Sequence, residues 1–192
     1  TISLFANMCL FFALKGENFD GNKFAQKAID NGCALAIIDN PNYASGQNFI
    51  VVENVLETLQ NLAIYHRNRI NIPVIGITGS NGKTTTKELL ASVLSKKYNV
   101  SYTQGNLNNH IGVPLTLLSF SHKTELGIVE MGANHPGEIE ALCEIAKPDY
   151  GLITNIGRAH LEGFGSFENI IKTKNELFNY IAKNNGKAFF NA

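Results

Sequence analysis

The sequence predicts an α/β fold: a small α/β N-terminal domain, then a doubly wound, mainly parallel sheet carrying a phosphate-binding loop. Three observations lead there. From residue 74 onward, short apolar runs alternate with helical patterns, as expected of βαβ units. The loop Thr78-Gly79-Ser80-Asn81-Gly82-Lys83-Thr84 stands between an apolar run and a helical one, the setting in which such a loop binds phosphate. The stretch Arg69-Ile70-Asn71-Ile72-Pro73 reads as a linker between two textures. The expected domains are residues 1–72 and 73–192.

In the first domain, residues 10–14 (LFFAL) predict a strand and 16–22 (GENFDGN) a turn-rich loop. Residues 23–32 predict a helix stopped by Asn31-Gly32, a good C-terminal signal. Residues 34–39 and 49–52 predict strands. A helix is expected from Asn54 to about Arg69, with Val55, Leu59, Leu62, Ala63 and His66 on one face. On that stripe His66 is a packing residue rather than a ligand.

In the second domain, strands are expected at 74–78, 100–103, 126–131, 150–154 and 187–190. Helices are expected from Lys83 to about Ser95, over 113–120 with Pro114 in its first turn, over 136–146, and from about Ser166 to Ala182. Residues 153–166 read as a loop. Sheets of this kind bind ligands at the carboxyl ends of their strands.

Composition narrows the function classes. Hydrophobic residues make up 44% and charged residues 17%, so the chain is built for a packed core rather than disorder. Sixteen basic residues balance sixteen acidic ones, which gives no support for nucleic acid or a membrane surface as partner. The longest apolar run, Met8 to Leu14, has seven residues and cannot span a bilayer. The chain opens at Thr1 with no signal-peptide pattern and stops after KAFFNA; it reads as a piece of a longer protein. Cys9, Cys33 and Cys143 are widely spaced and suggest neither a disulfide framework nor a zinc site, so a reducing cytoplasm is expected.

The loop after residue 78 fails the usual Walker spacing. Counting back from Gly82-Lys83-Thr84, the outer Gly would fall at 77, which is Ile. The physics survives the mismatch. Gly79 and Gly82 let the backbone approach phosphate oxygens, and the helix start adds its dipole. Lys83 can reach β and γ phosphates, and the Thr84 hydroxyl can ligate Mg2+. Thr78, Gly79, Ser80, Asn81, Gly82, Lys83, Thr84 and Thr85 are therefore the expected nucleotide contacts.

Other loops at strand ends add candidates. In QGNLNNHIGVP, Asn106, Asn108 and Asn109 offer amide donors and acceptors, although Asn and Gly also favour plain turns. Asn106 and Asn109 are taken as nucleotide-site residues. Glu130 ends an apolar strand, where a carboxylate is costly unless paired or metal-bound; it suits Mg2+ coordination, or it simply emerges from the sheet. His160, in the loop 153–166, is a metal or phosphate ligand candidate. On the last long helix, Phe167, Ile170, Ile171, Leu177, Phe178 and Ile181 share a face, Lys174 lies in its middle and Lys172 opposite. A buried Lys174 would have a lowered pKa, and its neutral amine could take up CO2 as a carbamate. Periodicity alone favours a Lys174 that snorkels out.

Taken together, TGSNGKTTT, GNLNNHIGVPLTLL, EMGANHPGEI, TNIGRAHLEGFGS, KTKNEL and LFFALKGENFDGNKFA resemble the Mur ligases, ATP-dependent amide-forming enzymes of peptidoglycan synthesis. The likeness is closest to the branch that joins D-Ala-D-Ala to UDP-MurNAc-tripeptide, and it covers almost the whole chain. In place of that branch's usual Ser/Thr/Asp-rich stretch ending in Arg, this chain has TISLFANM. The resemblance implies a UDP-sugar domain over 1–72, N-terminally incomplete, and an ATP-binding central domain over 73–192, C-terminally truncated. It implies ATP bound by Lys83, Mg2+ served by Thr84, Glu130 and His160, and Lys174 as the carbamylated lysine, which reverses the weighing from periodicity. Lys83, Glu130, His160 and Lys174 become the catalytic set. The implied protein is a cytoplasmic monomer that forms ADP and an acyl phosphate on the tripeptide; the piece alone would be inactive. Another ligase of the superfamily, a Mur ligase acting earlier or a folylpolyglutamate synthetase, is the near alternative. A non-catalytic nucleotide-binding module is the distant one.

Overall fold

The computed structural model describes residues 9–157 and 161–190, without the side chains of 161 and 162. The segment TISLFANM and the candidate ligand His160 lie outside the described residues. Two compact units divide between Leu59 and Gln60.

The first unit contains strands β1 (Leu10–Phe12), β4 (Leu35–Ile38) and β5 (Phe49–Val51), all parallel, in the order β1-β4-β5. A small hairpin, β2 (Lys15–Gly16) and β3 (Phe19–Asp20), precedes a 3-10 turn at Gly21–Phe24 and helix α1 (Ala25–Asp30). Ala13, Ala25, Ala36 and Ile38 form its core. The loop expected over 16–22 is thus partly ordered, and the reason is one buried side chain. Asn22 is fully buried and donates Nδ2 to Asp20 Oδ1 at 2.7 Å and Asp39 Oδ1 at 2.8 Å, so both amide hydrogens have acceptors and the turn is tied to the end of β4. One expectation is corrected: Cys9 and Cys33 are paired as a disulfide, with Cα atoms 4.7 Å apart. Parallel pairing of β1 with β4 brings the residues preceding each strand together, which sequence separation hides.

Helix α2 (Val55–Arg69) opens in the first unit and ends in the second. Its His66 is half-buried and shares a 2.8 Å hydrogen bond with the Phe120 carbonyl, a packing position as expected. The second unit holds β6 (Val74–Thr78), α3 (Lys83–Leu94), β7 (Val100–Tyr102), α4 (Gly112–Leu118), β8 (Leu126–Glu130), α5 (Glu138–Ala146), β9 (Tyr150–Ile153), α6 (Leu161–Phe164), α7 (Phe167–Lys183) and β10 (Lys187–Phe189). Its five strands run parallel in the order β10-β9-β6-β8-β7. From β6 the chain crosses over β8 to β7; from β8 it crosses over β6 to β9 in the opposite direction. Right-handed crossovers in opposite directions place helices on opposite faces. Accordingly Ile77, Ala91 and Ile128 form one core beneath α3, while Val74, Val129, Leu117, Leu142 and Leu177 belong to the other, beneath α4, α5 and α7.

The loop expected over 153–166 contains the short helix α6. Four residues are too few for a period to register. Ser166 then caps α7, its hydroxyl accepting from Asn169 N at 3.2 Å.

Candidate functional site

The loops that follow β6, β7, β8 and β9 emerge at one edge of the parallel sheet. The loop after β6 is braced from the loop after β9. Ser80 N donates to Asn155 O at 3.0 Å, Asn81 N to Asn155 Oδ1 at 3.1 Å, and Ser80 Oγ to Gly157 O at 3.0 Å. Thr154 Oγ1 returns a bond to Asn81 O at 2.7 Å. Gly79 sits at φ 144° with Thr154 packed where a Cβ would stand, and Gly82 at φ 75° opens α3. Both conformations suit glycine.

Lys83 folds back over this loop, donating Nζ to Gly79 O at 2.8 Å. Burial lowers its pKa, against the pull of the Glu130 carboxylate. The Thr84 hydroxyl donates to Glu130 Oε2 at 3.0 Å and lies 3.3 Å from Oε1. Glu130, 1% exposed at the end of β8, also accepts from Asn108 Nδ2 at 2.8 Å on Oε1. Its backbone N–H donates to Thr103 Oγ1 at 2.9 Å. Thr78 is fully buried and gives its hydroxyl to Met131 O at 2.9 Å. Thr85 is exposed on the first turn of α3.

A cleft of about 770 Å³ opens beside the loop, with Gly79, Lys83, Asn106, Asn108, Asn109 and Lys174 among its walls. Asn109 uses its Oδ1 to accept from Ile111 N at 3.1 Å and Gly112 N at 2.9 Å, so the start of α4 takes part of its polar capacity. Lys174 is 3% exposed; Lys172, on the opposite side, is exposed. Burial, reinforced by the positive charge of Lys83, pushes the Lys174 pKa down to about 8, and its Nζ stands 5.5 Å from the centre of the Phe164 ring. At that pKa about a fifth of the amine is neutral near physiological pH, and that fraction is nucleophilic.

The structure therefore brings Lys83, Thr84, Asn106, Asn109, Glu130 and Lys174 to one sheet edge. Two residues escaped the sequence reading of this site. Asn108 bonds Glu130 directly, although its neighbours were the ones chosen from the Asn run. Lys87, fully buried on α3, donates to Gly105 O at 3.1 Å and lies 3.6 Å from Glu130 Oε2. Its spacing of four from Lys83 places both on one helix face, a signal that was available. Glu130 and Thr84 present hard oxygen donors, the ligand chemistry Mg2+ takes. Among the described residues, no three His, Cys, Asp or Glu side chains cluster as a metal site.

A second cleft of about 430 Å³ lies at the opposite edge of the sheet. There Arg67 is committed to Ala146 O at 2.9 Å, Lys147 O at 2.9 Å and Asp149 Oδ2 at 3.1 Å, a structural use of the guanidinium. No described helix is long and apolar enough to cross a membrane.

Comparison with known proteins adds an independent line. The Mur ligase middle domain matches residues 77–192, and the Mur ligase family catalytic domain matches residues 5–79. The chain is 45% identical over 172 residues to the UDP-N-acetylmuramoyl-tripeptide–D-alanyl-D-alanine ligase of Bacillus subtilis, covering 88% of this chain and 38% of the relative. It is 41% identical over 184 residues to that of Escherichia coli, covering 96% and 40%. Among solved structures, MurF from Acinetobacter baumannii superposes with a TM-score of 0.83 at 40% identity, covering 92% of this chain and 39% of that one. MurF ligase from Thermotoga maritima in complex with ADP gives 0.82 at 39% identity, covering 91% and 40%. The chain spans about two fifths of the length of the curated relatives it matches.

Proposed function

The chain belongs to the Mur ligase family, and on that premise we propose that the protein joins D-Ala-D-Ala to UDP-MurNAc-tripeptide at the expense of ATP, in the cytoplasm, as a step of peptidoglycan precursor synthesis. The observation that carries this reading is the bond between Thr84 and the buried Glu130, beside a glycine loop whose lysine shares a cleft with Lys174. Residues 1–72 serve the UDP-sugar and residues 73–192 the ATP.

The residues divide the work. Backbone N–H groups of Gly79 to Lys83 and the start of α3 receive the phosphates. Lys83, which caps Gly79 O at 2.8 Å, exchanges that carbonyl for phosphate oxygens. Thr84 and Glu130 hold Mg2+, with His160 as a further ligand. Bound Mg2+ neutralises charge on the transferring phosphoryl group. The neutral Lys174 amine attacks CO2; an N–C bond forms, a proton leaves to solvent, and an anionic carbamate faces the cleft. The γ-phosphoryl group passes to the tripeptide carboxylate, giving an acyl phosphate. The amine of D-Ala-D-Ala then attacks that carbonyl and phosphate leaves. Catalysis on this account is positioning and charge stabilisation.

The test is product formation by the full-length protein with ATP, UDP-MurNAc-tripeptide and D-Ala-D-Ala. Mass spectrometry should find the UDP-MurNAc-pentapeptide. Product only with a single amino acid as acceptor would instead assign an earlier step of the pathway.

A further inference from the structure

Glu130 has two kinds of partner. Thr84 and Asn108 give it dipoles, at 3.0 Å and 2.8 Å. Neither carries charge. The Lys87 ammonium lies 3.6 Å from Oε2, while that of Lys83 attracts the carboxylate from the glycine loop, where it is bonded to Gly79 O at 2.8 Å. Both side chains are removed from solvent, at 0% and 1% exposure. A buried carboxylate without a counter-charge is strongly disfavoured, and so is a buried ammonium. Lys87 is held by three further groups: Gly105 O at 3.1 Å, the solvated Glu88 Oε1 at 3.3 Å, and the Tyr102 ring, whose centre is 5.9 Å away. Its ammonium is therefore held beside the carboxylate and away from solvent.

We propose that Lys87 is the resident counter-cation of Glu130, stabilising the cation-free site and thereby weakening divalent-cation binding to an exchangeable level. This rests on the reading of Glu130 as a cation ligand. Two effects act in the same direction. Without the cation, Lys87 supplies a full positive charge 3.6 Å from Glu130 Oε2, so the empty site is stabilised. With the cation on Glu130, Lys87 repels it at short range in a poorly screened setting. Removing the Lys87 charge raises the free energy of the empty site and lowers that of the loaded one. Thr84 and Asn108 still orient the carboxylate, so its geometry does not depend on Lys87 alone. Lys87 is thus a positioning and charge-setting residue that touches neither nucleotide nor reacting atoms, and its effect is to let the cation leave with product.

The experiment titrates Mn2+ into the full-length protein with saturating ADP, following free Mn2+ by electron paramagnetic resonance. Lys87→Met should bind Mn2+ about fivefold or more tightly than the unmodified protein. Lys87→Arg, which keeps the charge, should stay within about twofold. Cation-free Lys87→Met should melt lower than the unmodified protein, and saturating Mn2+ should narrow the gap; a purely structural lysine would leave the gap constant. Unchanged or weaker Mn2+ binding by Lys87→Met overturns the proposal. If Lys87→Met does not fold without cation, Lys87→Gln, which keeps a donor for Gly105, carries the same expectation. Failure of both to fold even in excess Mn2+ also overturns it. Glu130→Gln separates the two readings. If it leaves Mn2+ affinity unchanged, Glu130 is not the ligand and both readings fall; if it weakens binding while Lys87→Met does not tighten it, only the role of Lys87 falls.

Discussion

The Thr84 hydroxyl donates to Glu130 Oε2 across 3.0 Å, tying the first turn of α3 to the last residue of β8. The bond fixes the distance between the start of α3 and a buried carboxylate. Glu130→Gln keeps the shape and removes the charge, leaving the buried Lys87 ammonium with only the solvated Glu88 carboxylate as counter-charge. Stability should fall by about 3 kcal/mol, measured by urea unfolding, with the cost smaller in Lys87→Met/Glu130→Gln, where both charges are gone. A loss in the double variant equal to the sum of the two single-variant losses would show that the pair is not coupled.

The two glycines of the loop should differ sharply. At Gly79 a Cβ runs into the Thr154 side chain and the backbone stands at φ 144°, so Gly79→Ala should cost about 3 kcal/mol and abolish nucleotide binding. At Gly82 the space is open and φ is 75°, so Gly82→Ala should cost only about 1 kcal/mol. Calorimetric melting and ADP titration on the two variants check the order.

Lys174 sets a pH dependence of known sign. Its folded pKa, about 8, lies below the ordinary 10.5. Between those values the folded state has released a proton that the unfolded state keeps, so stability rises with pH there. Lys174→Met removes the penalty. In CO2-free buffer it should be more stable than the unmodified protein by about 3 kcal/mol near pH 7, the difference shrinking as pH climbs from about 8 to 10.5. A gap that is constant with pH would contradict the depressed pKa.

The carbamate reading makes a separate demand. Lys174→Ala should lose activity and regain part of it with added short carboxylic acids, which replace the missing anion in the vacated space. Full activity of Lys174→Ala without CO2 or such acids would exclude a carbamate at this position.

The second unit was largely legible because its elements repeat one rule: an apolar run, a loop at its carboxyl end, then a helix with one apolar stripe. That rule carried Lys83, Thr84 and Glu130 to the same sheet edge, since each follows or ends a strand. It could not see Asn108 against Glu130 or Lys87 against Gly105, because these contacts depend on how far loops fold back across the sheet. A helix of four residues such as α6 has no period to read. The Cys9–Cys33 pair escaped because strand order, not spacing, makes those residues neighbours. Lys174 shows the reverse case: its place on the apolar stripe was visible, but the Phe164 ring beside it and the Lys83 charge acting on it come from elsewhere in the chain.

On the proposed function, this cleft couples ATP cleavage to activation of a carboxylate, with Lys83 on the phosphates. Phosphate release by the full-length protein tests it most directly. Release is expected only when UDP-MurNAc-tripeptide and D-Ala-D-Ala are both present, with a loss of at least about a hundredfold in Lys83→Ala. Release without either substrate, or undiminished release by Lys83→Ala, would contradict it.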